Sequence, residues 1–262
     1  MSTVASDDVL PSFRLDDKVV LLTGASSGLG ERFARVLSAA GARLVLAARR
    51  VDRLEALAQE LGSERTATVR ADLTVPGEAA ALVDAALEVH GRVDVVVNNA
   101  GISRVVPAVD DDADEFRREL EIDLVAPYEL ARLAARHLIA ERRPGSIVNI
   151  GSVLGAGGGG RLRVPGYAAA KGGLHNLTRE LASQWARRGV RVNAIAPGWF
   201  ETEMNGEMFD SDSGMNYIVE GTPLGRPGRM GELDGALLFL ASDASSYVTG
   251  HVLFVDGGWT AV

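Results

Sequence analysis

The sequence predicts one α/β domain: a doubly wound, parallel, seven-stranded sheet with helices on both faces. Three observations carry that prediction. Short β-rich runs alternate with longer helical patterns along the chain, and no linker or internal repeat interrupts them. Several of the short runs are apolar almost throughout, as strands covered on both faces must be. A glycine-rich turn follows the first run directly and opens the first helical pattern. Successive parallel strands need right-handed crossovers, which place helices on both sides of the sheet. Such sheets bind ligands beyond the carboxyl ends of their strands.

Taken in order, residues 1–15 begin "MSTVASDDVLPSF", with neither a basic start nor an apolar stretch. They read as a loosely ordered extension and not as a signal peptide. The domain proper is expected over 16–262. Its first strand is "KVVLLTG" (18–24), and "TGASSGLG" (23–30) turns it into a helix over 28–40. Gly24, Gly28 and Gly30 permit a tight turn, so that the turn with Ser26, Ser27 and Leu29 presents backbone N–H groups to a pyrophosphate. The spacing is G-x3-G-x-G, and its position between strand and helix gives it meaning.

The second strand, "RLVLAA" (43–48), precedes a helix over 51–61. An acid near its end would hold the ribose 2′-hydroxyl of NAD, whereas arginine accommodates the extra phosphate of NADP. Ala48 stands at that point, followed by Arg49 and Arg50, which favours NADP, with NAD as the alternative. Strand "TATVRA" (66–71), helix 76–90 and strand "VDVVVNN" (93–99) follow. A long helix is expected over 112–141, its start favoured by the acidic run "DDDADE" (110–115) acting on the helix dipole. Strand "SIVNIGS" (146–152) ends at Ser152, helix 165–188 opens with "PGYAAAK", and strand "RVNAIAP" (191–197) leads to the segment 199–226. That segment reads either as a mobile lid with an apolar underside (Trp199, Phe200, Met204, Met208, Phe209, Met215, Tyr217) or as a surface helix pair. Helix 231–242 and strand "HVLFVDG" (251–257) complete the series.

Composition excludes several classes of function. A net charge of −8 argues against nucleic acid or an anionic membrane as partner. No apolar run approaches the ~20 residues of a membrane-spanning helix. With no cysteine there is neither a disulfide nor thiolate chemistry, which suits a cytoplasmic protein. His90, His137, His175 and His251 share no metal-ligand spacing, so no metal is expected. Arg161 and Arg163 read as solvated surface in an arginine-rich chain.

The chemistry is concentrated in "YAAAK" (167–171), which places Tyr167 and Lys171 on one helical face. The 27 basic side chains include only two lysines, Lys18 and Lys171. A phenol has a pKa of about 10, and a nearby cation lowers it by favouring the phenolate. Ammonium is compact and keeps donors free for a cofactor ribose, whereas guanidinium is broad and planar. Ser152, at the ligand-binding edge, can hydrogen-bond a substrate oxygen. Alone it would read as a turn residue.

These features, with "ADL" (71–73), "NNAG" (98–101), "PGWFETEM" (197–204) and "VTGHVLFVDGG" near the C-terminus, occur in the order that marks the short-chain dehydrogenase/reductase family. The chain resembles that family from about residue 16 onward. The resemblance implies a Rossmann-type sheet and hydride exchange between a nicotinamide cofactor and an alcohol or ketone. It implies Tyr167 as general acid/base, Lys171 lowering its pKa and binding the nicotinamide ribose, and Ser152 orienting the substrate oxygen. Asp72 and Leu73 should flank the adenine, Asn99, Ala100 and Gly101 line the cleft, and Pro197 and Gly198 approach the nicotinamide. Thr202 should reach its amide or the phosphates. A homotetramer or dimer is implied as well.

Two departures from the family pattern stand out. Many relatives carry asparagine in the fourth helix to complete a proton relay, and "EIDLVAPY" (121–128) places Asp123 there. Aspartate keeps an acceptor, loses the amide donor, and carries a charge able to raise neighbouring pKa values. The interval from Ser152 to Tyr167 is also two residues longer than common, within a glycine-rich loop. The expected activity is NADP(H)-dependent interconversion of a secondary alcohol and a ketone. Alternatives are an NAD-dependent polyol or sugar dehydrogenase, a 3-oxoacyl-carrier reductase, an epimerase or dehydratase of sugar nucleotides, and a non-catalytic dinucleotide-binding relative.

Overall fold

A computed structural model describes residues 13–262. Most of the expected N-terminal extension, 1–12, lies outside the described residues. Leu15 is already fully buried, and its N–H donates to Ala40 O.

Seven strands form one parallel sheet in the order β3-β2-β1-β4-β5-β6-β7. They are β1 (Val19–Thr23), β2 (Arg43–Ala48), β3 (Thr66–Arg70), β4 (Val95–Asn98), β5 (Gly145–Ile150), β6 (Val190–Pro197) and β7 (Val252–Val255). The helices α1 (Gly28–Ala39), α2 (Val51–Leu61), α3 (Glu78–His90), α4 (Ala113–Leu120), α5 (Ala126–Ala140), α6 (Pro165–Trp185), α7 (Gly206–Phe209), α8 (Asp212–Gly221) and α9 (Asp234–Ala241) connect them.

Strands apolar on both faces do what that pattern requires. Val19 and Leu21 of β1 pack into one hydrophobic layer with Leu82 and Val83 of α3, Leu130 and Leu138 of α5 and Leu181 of α6. Val20 and Leu22, their neighbours in sequence, enter the opposite layer with Phe33 and Leu37 of α1, Leu54 of α2 and Leu237 and Leu240 of α9. Side chains alternate across the sheet, so each strand feeds both layers. Each buried Leu contributes about 1.5–3 kcal/mol relative to exposure. The strand order reverses between β1 and β4, opening a crevice at their carboxyl edge.

The helix expected over 112–141 is not continuous. It divides into α4 and α5 around a π turn, Glu121–Val125, where the Ala126 N–H reaches back five residues to Glu121 O. Proline explains the break. Pro127 stands four residues after Asp123 and has no N–H to give that carbonyl, so the ordinary helical ladder fails there. The acidic run before α4 acts as a cap: Asp112 Oδ1 accepts from the N–H groups of Asp114 and Glu115 at 2.8 and 3.1 Å. Segment 199–226 contains α7 and α8. Trp199 is buried there, edge-on to Tyr217 and Trp259 with ring centroids 6.0 and 5.5 Å away. Among the described residues no helix is long and apolar enough to cross a membrane.

Candidate active site

The glycine turn is fastened to the neighbouring strand before any ligand is considered. Thr23 Oγ1, at the end of β1, accepts from the backbone N–H groups of Asn99 and Ala100, both at 3.0 Å. Asn99 Nδ2 donates back to Thr23 O and Gly24 O at 2.9 and 3.2 Å. Gly24 has φ +66°, and a Cβ on Gly30 would lie 2.1 Å from Gly24 O. No side chain fits at either place, so the start of α1 stays open to a closely approaching group. That cradle suits a pyrophosphate.

One cleft runs from this turn along the carboxyl edge of the sheet. Its walls include Gly24, Ser26, Ser27, Gly28, Leu29, Gly30, Arg49, Arg50, Asp72, Leu73, Asn99, Ala100, Gly101, Ser152, Tyr167, Lys171, Pro197, Gly198 and Thr202. The structure therefore gathers these residues, singled out in the sequence for cofactor or chemistry, around one space, while Asp123 is buried outside its walls. Arg161 and Arg163 are not among its walls. Arg49 is exposed at the end of β2 with no ion-pair partner among the described residues. Its free guanidinium at that position fits a ribose 2′-phosphate.

At the other end of the cleft Lys171 is almost wholly buried. Its Nζ donates to Ile150 O at 2.9 Å, stands 3.0 Å from Asp123 Oδ1, and lies 5.3 Å from the centre of the Tyr167 ring. Asp123 is fully buried, and its Oδ2 accepts from Ile102 N at 3.1 Å. Ser152 Oγ accepts from Leu154 N at 3.1 Å, fixing the turn after β5, and shares the wall of the cleft with Tyr167. Turn residue and polar wall of the site are thus the same side chain.

The charges oppose one another, as the charge of Asp123 led one to expect, and burial adds a contribution that helical spacing does not show. Burial pushes the Tyr167 phenol above its usual value and Asp123 adds to this, while Lys171 and Ser152 pull it down. The net direction is upward. Lys171 does act on the phenol in the expected sense, but desolvation outweighs it. Burial would lower Lys171, yet the carboxylate of Asp123 and the tyrosine raise it, which keeps the ammonium charged. Asp123 itself is raised by burial against the pull of Lys171.

Several wall or neighbour residues escaped the sequence reading. Glu119, one turn before Asp123, is fully buried; its Oε1 accepts from Arg104 N at 2.7 Å and Oε2 has no partner among the described residues. Burial, with a contribution from Asp123, raises its pKa. His175, one turn beyond Lys171, packs edge-on against Phe254 at 6.0 Å, and burial lowers it to about 4. Glu203 and Asn205 also line the cleft, beside Met204 of the expected lid.

The chain is similar to known dehydrogenases in sequence and in fold. The family model described as enoyl-(acyl carrier protein) reductase matches residues 24–260. The chain is 42% identical over 248 residues to a galactitol 2-dehydrogenase (L-tagatose-forming) of Cereibacter sphaeroides, covering 95% of this chain and 97% of that protein. Among solved structures, a gluconate 5-dehydrogenase of Burkholderia cenocepacia in complex with NADP and tartrate superposes with a TM-score of 0.91 at 37% identity, over 97% of this chain and 99% of that one. A short-chain type dehydrogenase/reductase of Mycobacterium marinum superposes with a TM-score of 0.92 at 33% identity, over 97% and 100%.

Proposed function

Since the chain belongs to the short-chain dehydrogenase/reductase family, we propose that it is an NADP(H)-dependent oxidoreductase interconverting a secondary alcohol and a ketone on a polyhydroxylated substrate. The observation that carries this reading is the convergence of Ser152, Tyr167 and Lys171 at the carboxyl edge of the sheet, on the cleft that begins at the glycine turn. Substrate class rests on relatives named for galactitol and gluconate, which favour a polyol or sugar acid over an acyl-carrier thioester.

The glycine turn (Gly24, Ser26, Ser27, Gly28, Leu29, Gly30) holds the pyrophosphate, Arg49 and Arg50 the 2′-phosphate, and Asp72 and Leu73 the adenine. Asn99, Ala100 and Gly101 line the middle of the cleft, while Pro197, Gly198 and Thr202 form the nicotinamide end. NADPH, when bound, supplies the hydride. Tyr167 gives its phenolic proton to the substrate oxygen in reduction and takes it back in oxidation. Ser152 hydrogen-bonds that oxygen and polarises the carbonyl. Lys171 keeps a positive charge against the tyrosine, so that proton loss there is less costly. We place the enzyme in the cytoplasm as a homotetramer, following the family.

Purified protein should quench or shift NADPH fluorescence, and should consume NADPH with a ketose or keto acid from a panel of polyols, sugar acids and their ketones. Tyr167→Phe should lower turnover by about 10²–10⁴ while sparing NADPH binding. Failure to bind either NADPH or NADH, or full turnover in Tyr167→Phe, overturns the proposal.

A further inference from the structure

Arg50 is the one cleft guanidinium already held by an anion. Its Nη1 donates to Glu203 Oε2 at 2.9 Å, its Nη2 to Ser27 Oγ at 2.6 Å and its Nε to Ser26 Oγ at 3.2 Å. The second oxygen of Glu203 accepts from Arg53 Nη1 at 2.6 Å. Glu203 therefore bridges two guanidiniums across a sequence separation of 150 residues or more. It belongs to the stretch that follows β6 and leads into α7, directly after Thr202, while Arg50 and Arg53 sit at the start of α2, beside the end of β2. A carboxylate thus spans the cleft at the end where a 2′-phosphate would lie.

We propose that Glu203 is a specificity-determining residue, an internal anion that competes with the 2′-phosphate of NADP for Arg50. This rests on the nicotinamide-cofactor reading above. Two negative groups cannot both sit against Arg50 without repulsion, so a 2′-phosphate must displace Glu203 or share a weakened site. Displacement is inexpensive, because Arg50, Arg53 and Glu203 are all roughly half exposed, and exposed ion pairs contribute little. NAD carries a hydroxyl there and leaves the bridge in place. Glu203 consequently narrows the preference for NADP that Arg49 and Arg50 would otherwise give. It also links occupancy of the phosphate site to the stretch entering α7, which the bridge ties down. The carboxyl is held at about 2 by Arg53 first and Arg50 second, so the bridge is charged throughout the neutral range.

The test is calorimetric binding of NADP+, NAD+ and 2′,5′-ADP to wild type and Glu203→Gln. Glu203→Gln should bind NADP+ and 2′,5′-ADP roughly three- to tenfold more tightly, with NAD+ affinity unchanged. Backbone amides of residues 200–206 should exchange faster in Glu203→Gln, and faster in wild type once 2′,5′-ADP is added. Equal NADP+ affinity in the two proteins, or an equal gain for NAD+, overturns the competition. Absence of binding by every ligand to wild type would instead remove the cofactor reading itself. Arg53→Gln supplies a second variant: it loosens one end of the bridge, leaves the glycine turn and Arg49 intact, and should alter the NADP+/NAD+ ratio if Glu203 acts as argued. An unaltered ratio counts against the competition.

Discussion

Asp123 gives the sharpest test of the site, because it is a carboxylate buried against a buried lysine. Its carboxylate is fully buried, 3.0 Å from Lys171 Nζ, and it accepts from Ile102 N at 3.1 Å. At an effective dielectric near 20, charges at that separation attract by about 5 kcal/mol, most of it offset by the cost of removing both from water. Taking away one partner leaves the other buried and unpaired, so Asp123→Ala should lose about 3–5 kcal/mol in urea unfolding. Asp123→Asn should lose less, about 1–3 kcal/mol. An amide has one oxygen, whereas both the Ile102 N–H and the Lys171 ammonium require an acceptor. The pH profile separates this from a general loss of stability. Asp123 raises the Tyr167 phenol, so removing its charge lowers the pH at which the phenol ionises. The limb of alcohol oxidation that rises with pH should therefore move to lower pH in Asp123→Asn. Wild-type stability in Asp123→Ala refutes the buried pair. A limb displaced to higher pH refutes a direct action of this charge on the phenol.

Two further outcomes follow from the same neighbourhood. His175 is buried and its pKa falls from 6.5 to about 4, so the folded protein disfavours a proton that the unfolded chain accepts. Its contribution to stability is complete above pH 6.5 and is lost as pH falls towards 4; it reaches about 3 kcal/mol, and His175→Gln should flatten urea-derived stability over that window. An unchanged slope would show that other groups carry the acid sensitivity. Lys171→Arg should keep the charge yet lose most turnover and weaken NADPH fluorescence binding, because a planar guanidinium cannot take the ammonium's place between Ile150 O and Asp123. Retained turnover in Lys171→Arg would show that charge alone suffices.

The seven strands were legible because buried parallel strands are apolar on both sides and the glycine turn marks the first crossover. The cleft was legible for the same reason: its walls are the residues at strand ends, and strand ends can be read along the chain. The π turn was not. Pro127 stands in plain view four residues beyond Asp123, but the apolar periodicity of 112–141 runs through it and suggests one unbroken helix. Glu203 escaped because its partners lie far away in sequence, and no local pattern shows which arginine a glutamate meets.

The net direction of the phenol was hidden for a deeper reason. Spacing along a helix shows that Lys171 lies near Tyr167, but it cannot show how much water has been removed from both. With burial counted, one ammonium is insufficient to make the tyrosine acidic, and the adjacent carboxylate works against it. Asp123 serves the lysine instead: with the tyrosine it raises the ammonium's pKa against the lowering that burial brings. Ile150 O and Asp123 engage Nζ, and Lys171 lines the same side of the cleft region as Tyr167, with Nζ 5.3 Å from the centre of its ring. An oxidised nicotinamide, itself a cation, would add on that side the positive charge that Asp123 offsets. Proton loss from Tyr167 is then favoured when the oxidised cofactor is present, which is the condition under which an alcohol must give up its proton.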